Sequence, residues 1–309
     1  MPFDFAAVNA PFRMQPGLRR MIPGALQLTP NRSDSAALRE KLGALRHHAP
    51  QALLTASGFD PTPALHALMR QAANEHPTAF AWDGASAFES IALGWRLRGS
   101  ALEGNGPPEI GDCLRALPAD WRLPALLSLS LTEDFAVIDG ATACIPWLAV
   151  CLPSRWAPEE KVGRHFAEVH APVADNTLLV TAAEHLARLV SGSERWERFV
   201  WSIGSEPRLM QHPCHVPPTP WPAAFDASAL AAHAHFRTEH QTFIPLPESR
   251  QAVFTIHVES RPLIDAIDSP ERARQLHAAL ASMSGAVLAY RGLTEVRDRL
   301  LTWLDARAA

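Results

Sequence analysis

The sequence predicts an α+β domain built on an antiparallel sheet. At least five stretches read as strands, at 135–138, 142–151, 195–203, 235–247 and 251–260, and most can be joined as hairpins. Helical patterns precede, separate and follow them without the βαβ alternation of a parallel sheet. With 309 residues, 47% apolar and 19% charged, the chain can bury a substantial core.

The elements follow from local spacing. Residues 1–30 are irregular, and Arg13, Arg19 and Arg20 alternate with apolar side chains in PFRMQPGLRRM. A helix is expected from a cap at Ser33 or Asp34 to His48, on the Leu38-Leu42-Leu45 stripe. Thr62-Pro63 opens a second, running to Glu75. Phe88-Ile91-Ala92-Trp95 reads as a third helical stripe, and 99–112 as a loop. Leu114 to Leu131 is mixed helix and loop. Asp139-Gly140 suits a two-residue type I′ hairpin turn. The strand after it breaks at Pro153 into a basic turn and a short helix stopping at His170, because Pro172 disfavours helical geometry at Ala171. A helix over 176–189 and closing helices over 270–283 and 292–306 complete the pattern. The expected organisation is one domain over 1–309, helical over about 1–100 and again over about 265–309.

Composition excludes several functions. A net charge of −4 gives no general pull toward nucleic acid or an anionic membrane. No apolar run reaches the length of a spanning helix, and MPFDFAAVNA lacks a basic-then-apolar export signal, so the expected setting is cytoplasmic. Four scattered cysteines without CxxC or CxxCH argue against an iron–sulfur cluster, a zinc ribbon and covalently attached haem. GxGxxG, GxxxxGK[ST], GxSxG and HExxH are all absent.

Two histidine readings remain open on residues alone. His212, Cys214, His215, His233, His235 and His240 invite a zinc site, although a closed set of four ligands is not supplied by spacing. His170, on the last turn of its helix beside apolar residues and several cations, is either a partly buried core histidine or an axial ligand for haem iron. In RTEHQT (237–242), strand alternation puts Arg237, Glu239 and Gln241 on one face and Thr238, His240 and Thr242 on the other. The Arg237–Glu239 pair is then a surface ion pair or a polarised pocket.

Six stretches, in order, resemble the haem-binding alpha subunits of haem-dependent oxidative N-demethylases: FRMQPGLRRM (12–21), TEDFAVID (132–139), LPSRW (152–156), EKVGRHFAEVHAPV (160–173), RTEHQT (237–242) and AVFTIHVESRPL (252–263). The resemblance implies a PAS-like core, an antiparallel five-stranded sheet with haem b between it and a helix. It implies His170 as the proximal iron ligand, Arg237 polarising dioxygen, and Glu239 fixing or deprotonating an amine. Arg155, Lys161 and Arg164 become candidate partners of the haem propionates. The implied reaction is oxidation of a small secondary amine, dimethylamine-like, with dioxygen. Electrons would come from a separate flavin and iron–sulfur reductase, FMN, 2Fe-2S and NADPH residing on that partner alone. The chain departs from the family pattern at His240, His257 and Glu259. A non-catalytic PAS-type haem-binding or gas-sensing protein is the alternative.

Overall fold

The computed structural model describes residues 3–309. In chain order the strands are β1 (Arg19–Arg20), β2 (Leu53–Thr55), β3 (Phe80–Trp82), β4 (Ala87–Ser90), β5 (Trp95–Arg98), β6 (Ala101–Gly104), β7 (Asp134–Asp139), β8 (Cys144–Ala149), β9 (Trp196–Gly204), β10 (His235–Leu246) and β11 (Gln251–Pro262). They form a seven-stranded sheet in the order β1-β9-β10-β11-β7-β8-β2 and a four-stranded sheet β3-β4-β5-β6, with antiparallel pairing throughout. The α+β class read from the sequence is therefore observed. No helix among the described residues is long and apolar enough to cross a membrane.

β10 and β11 are the backbone of the large sheet, twelve residues each and paired along their whole length from His235↔Pro262 to Leu246↔Gln251. β9 runs along the other edge of β10, from His235↔Gly204 to Phe243↔Trp196. Because side chains alternate across a strand, this register fixes two faces. Phe135, Val137, Trp147, Ala149, Ile244 and Val253 belong to the core shared with the helices Ala36–Ala52, Thr62–Glu75 and Ala119–Ser130. Ala136, Ile138, Leu148, Val150, Phe243 and Ala252 face the opposite way and pack on Ala187 and Val190 of the helix Ala183–Val190. A third cluster joins Trp201 and Phe236 to the helices Ala227–His233, Pro270–Ala281 and Arg297–Ala308.

Three local readings are corrected. Phe88, Ile91, Ala92 and Trp95 lie on no helix but on the hairpin β4–β5, whose reversal ends at Gly94 with φ +67. Phe88 pairs with Leu97 and Ser90 with Trp95, so Phe88 and Trp95 fall on one face of the hairpin and both are buried. A seven-residue interval therefore imitates helical periodicity. Asp139-Gly140 does not make a two-residue turn, since Asp139 pairs with Cys144 and four residues intervene. Asp139 Oδ1 accepts from the N–H groups of Ala141 and Thr142, both at 2.9 Å, which stabilises the longer loop. Gly140 is needed there because a Cβ would lie 1.8 Å from Ser191 Oγ. The helix expected over 176–189 is interrupted at Ala182 into Thr177–Thr181 and Ala183–Val190; the closing helices stand at Pro270–Ala281 and Arg297–Ala308, with a further short helix, Gly285–Tyr290, between them.

The helix-facing side of β10 and β11 carries a buried polar layer. His240 pairs with His257 across the strands. His240 Nε2 is 2.8 Å from Glu197 Oε2, and its ring stacks on Phe199 at 4.4 Å. His257 Nδ1 is 3.0 Å from Glu133 Oε1, a carboxylate 1% exposed. Burial opposes charge on His257, but its hydrogen bonds with Glu133 and Glu259 prevail and push its pKa up to about 9. A pKa raised on folding stabilises fully below the unfolded value near 6.5, and that contribution disappears as pH rises through 9. Urea unfolding is expected to lose about 3 kcal/mol between those limits, with the slope absent in His257→Asn. A wild-type chain with flat stability over that window would contradict the charged pair.

Candidate functional site

Between β8 and β9 the chain leaves the sheet for some 45 residues (150–195) and lays short helices along the face bearing Phe243. The excursion begins as a 3-10 turn, Pro158–Glu160, and the helix proper is only Phe166–His170, capped by His165. Its end differs from expectation: Ala171 keeps helical angles (φ −56, ψ −36) despite Pro172. The orphan carbonyls are met instead by Asn176 Nδ2, 3.2 Å from His170 O and 2.7 Å from Ala171 O.

His170 is thereby held with one ring nitrogen spent. Nδ1 lies 2.8 Å from Phe166 O, an acceptor only, so it carries the proton and donates, and Nε2 keeps its lone pair. The ring packs on Phe166 at 4.1 Å between centroids. Burial lowers its pKa to about 4; the Phe166 carbonyl opposes this weakly, and the cations Arg198 and Lys161 add to it. A neutral imidazole with a free Nε2 is a competent metal ligand.

Beside it, helix and sheet border a small cleft that opens to solvent. Leu18, Ile138, Phe166, Leu179, Val190 and Phe243 give it apolar walls, and Arg198 is the one charged side chain in its lining. Arg198 lies on β9 directly opposite Gln241 of β10. Among the described residues its buried Nε has no acceptor, and the same is true of Trp196 Nε1 two positions earlier on the same face.

Arg237 and Glu239 occupy that face of β10, as strand alternation predicts, in line with Gln241 and Phe243. Arg237 is 6% exposed and heavily engaged. Nε donates to Ser154 Oγ (2.8 Å), Nη1 to Arg208 O (3.1 Å), and Nη2 to Leu209 O (2.7 Å) and Leu152 O (3.3 Å). Four of the five N–H groups of a guanidinium are thus committed. Ser154 Oγ in turn donates a short hydrogen bond to Glu239 Oε1, and Gln241 Nε2 donates to Glu239 Oε2 at 2.6 Å. Both carboxylate oxygens are therefore oriented from within the sheet face.

The cations expected around this region separate. Lys161 is half-buried, with Nζ 3.2 Å from Val169 O, and burial lowers its pKa. Arg155 is exposed on a turn at φ +61. Arg164 is exposed and 3.8 Å from Glu168. His240 and His257, two of the positions departing from the family pattern, lie on the opposite side of the sheet from Arg237 and Glu239. Their imidazoles therefore do not line the cleft. For the zinc alternative, no group of three or more His, Cys, Asp and Glu side chains among the described residues is placed to hold a metal ion. His212 and His215 instead meet Glu159 (3.0 Å) and Gln51 (2.6 Å).

The residues missed from the sequence are Arg198, Ser154 and Gln241. Ser154 lay inside LPSRW and Gln241 inside RTEHQT, but only the fold reveals that they grip the Glu239 carboxylate. Arg198 lies in RWERFVWSI, where nothing local marks it.

NMR titration of the His170 ring is expected to give a midpoint near 4, with the neutral tautomer protonated at Nδ1 throughout the physiological range. Because its pKa is lowered on folding, stability falls as pH drops from about 6.5 through 4. A midpoint between 6 and 7 would contradict the buried neutral ring.

The model of the family described as haem-dependent oxidative N-demethylase, alpha subunit-like, matches residues 37–301. That span contains the sheet face, the 150–195 excursion and every candidate residue named above, and the chain belongs to this family.

Proposed function

We propose that this chain binds haem b between the sheet and the helical excursion, with His170 as the residue that would hold its iron, and acts as the amine-oxidising component of an N-demethylase. One observation carries the proposal: a neutral imidazole, with Nδ1 fixed on Phe166 O and Nε2 free, stacked on the Phe166 ring that lines the apolar cleft. The donor set suits haem, since the ring is the unprotonated borderline ligand that iron accepts, and the walls are apolar. The five contiguous antiparallel strands β8-β7-β11-β10-β9, with one helical crossing laid on a single face, support a PAS-like reading of the sheet. The free cysteines suit a reducing compartment, and we place the chain in the cytoplasm.

Bound haem supplies one-electron and dioxygen chemistry that side chains alone cannot perform. The chain's own residues do the rest. The Phe166 carbonyl fixes the His170 tautomer and ring orientation, which increases the basicity of Nε2. Lys161 is the best placed of the three expected cations for a propionate, because it is half-buried and free of a carboxylate among the described residues; Arg164 is committed to Glu168, and Arg155 stands in solvent. Glu239 is an ion-pair partner for a secondary ammonium and an acceptor for its proton. Ser154 and Gln241 hold that carboxylate in one orientation. Arg237 acts here as a positioning residue, fixing Ser154 and through it Glu239, since its N–H groups are already committed. The net reaction takes a small secondary amine, dioxygen, two electrons and two protons to a primary amine, formaldehyde and water. The electrons come from a partner reductase carrying flavin, 2Fe-2S and NADPH.

His170→Ala is expected to lose haem, and added imidazole to restore part of the Soret absorption. Glu239→Gln is expected to keep haem while losing the amine-induced spectral shift by about tenfold or more in affinity. Full haem occupancy in the alanine variant would remove His170 as ligand, and an unchanged amine response in the glutamine variant would remove Glu239 as its partner.

A further inference from the structure

The face that bears Glu239 carries one cation that makes no direct hydrogen bond or ion pair among the described residues. Arg198 lines the apolar cleft, its Nε is buried, and no acceptor among the described residues reaches it. Trp196 Nε1 is a second buried donor without an acceptor, two residues away on the same face of β9. Two unpaired donors beside an apolar cavity are costly to bury and suit an anionic acceptor delivered by a ligand. Glu239 is the one carboxylate on this face of β10, and its charge acts on both Arg198 on β9 and Arg237 on its own strand, while Glu40 and Asp134 also act on Arg237.

The register gives the separation. Gln241 is directly opposite Arg198, and Glu239 is two residues along β10, so Arg198 and Glu239 are diagonal neighbours with Cα atoms about 7–8 Å apart. A guanidinium and a carboxylate at that spacing can hold the two ends of one short zwitterion, with the ammonium on Glu239 and a carboxylate in the guanidinium fork.

We propose that Arg198 is a specificity-determining residue that binds the carboxylate of the substrate, so that the amine demethylated at this site is an N-methylated amino acid rather than an unsubstituted dialkylamine. This rests on the haem amine-oxidising reading above. The carboxylate could also belong to a haem propionate, which the same guanidinium would recognise. Arg198 rises from the sheet floor on the same face as Glu239, whereas Lys161 stands on the excursion, and this favours the substrate.

The test uses the full chain reconstituted with haem, titrated with N-methylglycine and with dimethylamine and followed at the Soret band, in wild type and Arg198→Gln. The wild type is expected to bind N-methylglycine about tenfold or more tightly than dimethylamine, and the variant to lose that preference at unchanged haem affinity. Equal affinities in the wild type would overturn the proposal. So would a variant that binds haem more weakly yet keeps the preference, which would assign Arg198 to a propionate. A wild-type chain that takes up no haem would sink the haem reading on its own. Calorimetry of that apoprotein must then still give an Arg198-dependent preference for N-methylglycine, and its absence would sink this proposal as well.

Discussion

The buried guanidinium of Arg237 is the constraint on which the site depends. It ties β10 to the segment leaving β8, through Leu152 O and Ser154 Oγ, and to the segment leaving β9, through Arg208 O and Leu209 O. Burying a charge is costly unless its hydrogen-bonding capacity is met, and here backbone carbonyls and a hydroxyl meet it without a directly bound carboxylate. The two segments reinforce each other as well: Gln211 N donates to Pro153 O at 2.9 Å, and Arg155 N to Gln211 O at 3.1 Å. Glu40 holds the second segment by accepting from the N–H groups of Leu209 (3.1 Å) and Met210 (2.7 Å). The Ser154 hydroxyl that orients Glu239 is thus held in place by this hydrogen-bonded clamp.

The opposite wall has a different origin. The excursion between β8 and β9 is made of short helical pieces, none of them stable alone, and it is ordered by laying Ala187 and Val190 on the apolar sheet face. Within it, burial and the neighbouring cations Arg198 and Lys161 keep His170 neutral, and one carbonyl fixes its tautomer, so Nε2 keeps its lone pair. A polar floor on the sheet thus faces an apolar helical wall.

Much of this was legible in the sequence. The alternation in RTEHQT placed Arg237 and Glu239 together and His240 apart, because period-2 alternation needs no knowledge of partners. Family membership was legible from short motifs in order. What escaped depended on pairing across distance. Arg198 acquires meaning only when β9 is set against β10 with Gln241 opposite it. Phe88 and Trp95 imitated a helix because a hairpin also returns a side chain to the same face after seven residues. The Asp139-Gly140 dipeptide suggested a two-residue turn, but Asp139 Oδ1 accepts from the N–H groups of Ala141 and Thr142 and the strands close only at Cys144, while Gly140 serves the close approach of Ser191.

The central claim is that His170 ligates a haem whose surroundings sense an amine. Its most direct test is the absorption spectrum of the full chain reconstituted with haem, recorded oxidised, after dithionite, and after addition of a secondary amine. A Soret band that shifts on reduction, and shifts again with amine at concentrations well below those needed to perturb free haem, is the predicted result. A chain that takes up no haem while His170 is intact, or a haem band indifferent to every secondary amine tried, would contradict the account.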